Sequence, residues 1–131
     1  MLKKFVVLFC VNFLLSSSIL MAEPAAVALL MQKDLNDLNN KEGLVLTVEY
    51  EPGARSDAHK HDAHIFVYVL EGSIIMQVEG DESVELHAGQ TFYESPQDVH
   101  LVSKNASETQ KAKFLVFSLK EKHAPVVIPI Q

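Results

Sequence analysis

From Leu44 to Leu119 the chain is a succession of short β-prone segments separated by turn residues, a rhythm that leaves few folds open. Leu44 to Tyr50 runs into Glu51-Pro52-Gly53, Ile65 to Leu70 into Glu71-Gly72, and Ser73 to Val78 into Glu79-Gly80-Asp81. Val84 to His87 ends at Ala88-Gly89 and Thr91 to Glu94 at Ser95-Pro96, while Val99 to Ser103 and Phe114 to Leu119 complete the set. β-Branched and aromatic residues suit a pleated, half-buried surface, and glycine and proline interrupt it. Seven such segments, with no helix of three turns between them, predict an all-β domain, a small antiparallel β-barrel or jelly roll.

At 131 residues and 48% hydrophobic composition the chain has room and material for one core. Residues 1–22 read as a signal peptide: basic Lys3 and Lys4, an apolar run from Phe5 to Leu15, and a Ser16 to Ala22 cleavage region. The run is shorter than the roughly 20 apolar residues needed to span a bilayer, so no stable membrane anchor is expected after cleavage. A retained anchor is the alternative, because Leu20 is only a fair residue three positions before the cut. Residues 23–43 read as an arm and loop, 44–119 as the barrel, and 120–131 as a C-terminal arm whose Pro125 and Pro129 suit an edge strand.

Cleavage after Ala22 would remove Cys10, the single cysteine, so neither disulfides nor thiolates would serve the working domain. That composition suits a periplasmic or secreted protein. Losing Lys3 and Lys4 leaves 9 basic against 17 acidic residues, a formal charge of −8, which argues against a nucleic-acid partner. The acidic residues are scattered and read as a solvated surface.

Four of the six histidines stand at positions 59, 61, 64 and 100. In a strand, residues i and i+2 project from one face, so His59 and His61 can present two imidazoles to one point. A bare His-x-His triplet equally suits a pair of surface or core histidines. Here the triplet sits in a wider frame: Gly53, five residues, His59, one residue, His61, three residues, Ile65, six residues, Gly72.

This frame resembles the first motif of the cupin family, and the stretch from Gly89 to His100 resembles the second. The resemblance covers about residues 44–119 and implies a double-stranded β-helix whose metal ligands are His59, His61 and His100. The family normally has a glutamate where this chain has Ile65, so the resemblance leaves the carboxylate ligand unfilled. His64 is a candidate replacement if the Asp62-Ala63 turn carries a bulge; otherwise it is an outer histidine. Tyr93 and Glu94 precede the second-motif turn. One of them can line the cavity mouth, although Glu94 reads better as a solvated strand end. Phe66, Met76 and Phe92 are candidate pocket residues, and His87 and His123 read as uninvolved.

Imidazole ligands suit divalent iron, zinc, nickel or copper, with manganese also expected for a cupin. Three neutral histidines leave open coordination positions. The expected function is therefore metal binding with a small-molecule ligand or substrate in the barrel. A metal-dependent dioxygenase, isomerase or decarboxylase is one form of it. A non-catalytic binding protein or a structural, oligomeric cupin is the alternative, and a homodimer is the ordinary expectation for a small cupin.

Overall fold

The computed structural model describes residues 25–130; the expected signal peptide lies outside the described residues. All strand pairings are antiparallel, and no helix occurs among the described residues. One sheet contains β1 (Ala26–Leu35), β2 (Lys41–Tyr50), β5 (Ala63–Glu71), β8 (Thr91–Glu94) and β10 (Ala112–Glu121), in the order β1-β2-β10-β5-β8. The second contains β3 (Arg55–Ser56), β4 (His59–Lys60), β6 (Ser73–Val78), β7 (Val84–His87), β9 (His100–Asn105) and β11 (Ile128–Pro129). Its order is β11-β4-β9-β6-β7, with β3 also paired to β9. The seven segments read from the sequence are β2, β5, β6, β7, β8, β9 and β10.

Alternation along the strands builds the interior. In β5, Ala63, Ile65, Val67 and Val69 are buried, whereas His64, Phe66, Tyr68 and Leu70 are exposed. β10 turns Phe114 and Val116 inward and β6 turns Ile74 and Met76 inward, so the two sheets share one core. Full burial of each large side chain contributes about 1.5–3 kcal/mol. Gly72 makes the corner from β5 to β6. Its φ is +71°, and a Cβ there would lie 2.4 Å from the Lys111 carbonyl oxygen, so only glycine fits.

Strand pairing also claims both flanks. β1 is a ten-residue strand paired along β2, followed by a tight turn in which Asn40 takes a positive φ of 55°. At the other end, β11 pairs with β4, bringing Ile128 opposite Lys60 and Pro129 opposite His59. Proline lacks an N–H donor, and β11 is an edge strand, where that loss is tolerated.

Candidate metal centre

Register places the histidines. His59 on β4 is the cross-strand partner of His100 on β9, and His61 follows His59 by two residues. The ring centroids of His59 lie 4.7 Å from those of His61 and 5.1 Å from those of His100. One ring nitrogen from each of the three lies within 4.8 Å of the others, close enough that they could hold a metal ion. His59 and His100 are 8% and 3% exposed.

Two backbone carbonyls fix the rings. His59 donates from Nδ1 to the Asp57 carbonyl at 2.6 Å, and His61 donates from Nδ1 to the Val126 carbonyl at 2.6 Å. Since a neutral imidazole has one N–H, both Nε2 atoms then carry lone pairs, and they face each other at 3.1 Å. Two lone pairs at that distance repel unless a cation or proton lies between them. Nitrogens bound to one ion at about 2.1 Å sit about 3.0 Å apart at a right angle and about 3.4 Å apart in a tetrahedron. His100 is buried with neither ring nitrogen hydrogen-bonded, as expected of a residue kept for another partner. Burial also lowers the pKa of His59, outweighing the opposing Asp57 carbonyl, and so favours the neutral form a metal needs.

The expectation of a solvated Glu94 is corrected. Glu94 is 2% exposed, with Oε2 3.2 Å from His100 Nδ1 and 3.7 Å from His61 Nε2. It is inward because β8 pairs with β5 in a register that sets Glu94 opposite Ile65, and paired residues share a face. Tyr93 points outward, where its hydroxyl bonds His64 Nδ1 at 2.8 Å. Of the two readings of His64, this supports the outer histidine and not the replacement ligand. Asp62 does take an irregular φ of 47°, yet Ala63, Ile65, Val67 and Val69 of β5 still face inward, leaving His64 on the outer face.

A cavity of about 470 Å³ adjoins the histidines, within the size range of small-molecule sites. Leu46, Ile65, Val67, Met76 and Val116 supply much of its apolar wall, and Val27 and Val126 bring the two flanking arms to it. Of the expected pocket aromatics, Phe66 is on the outer face, and Phe92 packs against the core with its ring 6.2 Å from that of His100. Met76 lines the cavity as expected. Tyr50, missed from the sequence, lies on the wall with its hydroxyl 2.6 Å from Ser56 Oγ and 2.8 Å from Ser103 Oγ. His87 and His123 are exposed and outside the cluster.

Two antiparallel sheets closed around a three-histidine cluster and an apolar cavity define a small β-barrel of the double-stranded β-helix type. The family model for the Cupin domain matches residues 46–118, more than half of the chain, and the protein belongs to the cupin family. A cupin-like protein of Thermotoga maritima is 24% identical, with a TM-score of 0.64 over 81% of this chain and 75% of that one. The polyketide cyclase RemF of Streptomyces resistomycificus is 21% identical, with a TM-score of 0.61 over 84% and 73% of the two chains. The DMSP lyase DddQ of Ruegeria pomeroyi is 16% identical, with a TM-score of 0.57 over 66% of this chain and 42% of that one. These likenesses establish the fold. No curated protein matches the chain.

Proposed function

We propose that this is an exported cupin that holds a divalent metal on His59, His61 and His100 and binds or transforms a small molecule in the adjoining cavity. The observation that carries the reading is the convergence of three imidazoles, two with Nε2 lone pairs turned together, at the wall of a mainly apolar pocket. Export is supported by Lys3, Lys4 and the apolar run after them, and the destination is the periplasm or the exterior. A homodimer is supported by β1, whose Val27, Leu29, Leu30 and Met31 are each more than half exposed and whose outer edge has no strand neighbour among the described residues.

When bound, the ion would supply Lewis acidity, and a redox-active ion would add redox chemistry. The chain itself orients His59 and His61 through the Asp57 and Val126 carbonyls. Leu46, Val67, Met76 and Val116 exclude water from a bound molecule, which strengthens every polar contact inside. Polyketide cyclase and lyase activities belong to the structural neighbours named above, and they support a small organic ligand for this chain.

A second reading is ligand capture without turnover. It is favoured by Tyr50, a candidate proton carrier on the wall, whose hydroxyl is already held by Ser56 and Ser103. The test is elemental analysis of protein purified without a histidine tag or chelator, beside His100→Ala. Near-stoichiometric metal that disappears in the variant is expected, and no metal after anaerobic reconstitution would overturn the reading. Substrate screens on the loaded protein then separate turnover from capture.

A further inference from the structure

A carboxylate that is 2% exposed needs a positive partner, because burying an unpaired charge is strongly unfavourable. Glu94 has no lysine or arginine within ion-pair distance among the described residues; its neighbours at that range are His61 and His100. Both are rings of the proposed metal cluster. Oε2 lies 3.7 Å from His61 Nε2, the nitrogen left free because Nδ1 is bonded to Val126. It also lies 3.2 Å from His100 Nδ1, yet that nitrogen makes no hydrogen bond. A nitrogen and an oxygen this close but not aligned as donor and acceptor leave a lone pair on each open to a third atom.

We propose that Glu94 is a fourth donor to the metal, giving a set of three imidazoles and one carboxylate, with the carboxylate supplied from β8. This rests on the metal-binding reading above. The carboxylate reduces the net charge that a divalent ion brings into an apolar cavity, and a hard oxygen joins the donors that suit iron, manganese, nickel and zinc. Ile65, the register partner of Glu94, supplies only hydrocarbon to the same wall. The two positions are thus complementary, and either could present an oxygen to the cluster.

The experiment measures Zn2+ affinity by competition with a chromogenic chelator, together with the visible spectrum of the Co2+-loaded protein. It compares the unmodified chain, Glu94→Ile, the exchange Ile65→Glu/Glu94→Ile, and Glu94→Gln in case the isoleucine variant fails to fold. Glu94→Ile is expected to weaken Zn2+ binding by at least about 100-fold, beyond the about 10–100-fold lost with a residue that merely orients a ligand. The Co2+ spectrum should shift, and the exchange should recover most of the affinity. Unchanged affinity and spectrum in Glu94→Ile and Glu94→Gln, with metal lost in His100→Ala, would overturn the carboxylate donor and leave the three-histidine site standing. A smaller loss with an unchanged Co2+ spectrum would overturn it too, reducing Glu94 to a positioning residue for His100. No metal on the unmodified chain would overturn both readings.

Discussion

Ile65 on β5 and Glu94 on β8 are cross-strand partners, both 2% exposed and both lining the cavity that the three histidines line. Side chains paired across antiparallel strands share a face at Cβ separations of about 4.5–5.5 Å. An acidic group can therefore pass from one strand to its neighbour while its oxygens remain within reach of the same point. The opposite sheet contributes its own cross-strand pair, His59 with His100. The proposed centre would thus draw on one register pair from each sheet, which would make it a property of the closed fold and not of any one segment.

Removal of a histidine tests that geometry directly. His59→Ala and His100→Ala should each weaken divalent-metal binding by about 100-fold or more, since each removes a donor from a set of few. His123→Ala and His64→Ala should bind as the unmodified chain does, because both residues are exposed and outside the cluster. Metal content after dialysis separates the two groups. Retention in the first pair would exclude the site.

The C-terminal arm has a role that truncation can expose. Its Val126 carbonyl holds His61 Nδ1, and β11 pairs with the strand carrying His59. A chain ending at Ala124 should keep its core, which draws on β2, β5, β6 and β10, yet lose about 10–100-fold in metal affinity as His61 is released. Circular dichroism with a metal titration would show it; full affinity in a folded truncated chain would refute the arm's part.

The barrel and its histidines were legible in the sequence because they rest on local information. Strand periodicity fixes which residues share a face, and His59 and His61 are only two apart. Glu94 was not legible. Its inward direction depends on β8 pairing with β5 across two intervening strands, and a glutamate beside Ser95-Pro96 looks like a solvated strand end until that register is known. The same holds for the Val126 carbonyl, since a backbone acceptor 65 residues from His61 leaves no mark in side-chain pattern. Long-range register was the missing information in both cases.

β1 carries the prediction for assembly. Four large apolar side chains on one solvent-exposed edge strand are an aggregation hazard unless something covers them. Light scattering coupled to gel filtration should give a dimer for the unmodified chain. Leu29→Asp/Met31→Asp should shift it to a monomer with metal binding retained. A monomer throughout would leave β1 without a self-partner.

Acid should weaken the fold through a buried ion pair between β2 and β10, beside β1 in the same sheet. Glu42 and Lys120 are both 3% exposed and lie 2.5 Å apart, and Lys120 also donates to the Ala124 carbonyl, tying β2 and β10 to the start of the arm. The Lys120 ammonium, with help from the Gln32 amide, holds the Glu42 carboxyl below its ordinary value of 4.5. Above that value the carboxylate is charged in folded and unfolded chains alike, and its contribution to stability is fully present. As pH falls below it, the unfolded chain takes up the proton first, so the contribution is lost progressively until the folded-state value is passed. Thermal unfolding between about pH 3 and 7 should therefore show a steeper decline below pH 4.5 for the unmodified protein than for Glu42→Gln, with the two curves converging in acid. Lys120→Met, which strands Glu42 without its cation, should cost about 3–5 kcal/mol at neutral pH, whereas Lys120→Met/Glu42→Leu should recover much of that loss. Parallel pH profiles for the unmodified chain and Glu42→Gln would show that the pair contributes nothing to acid sensitivity.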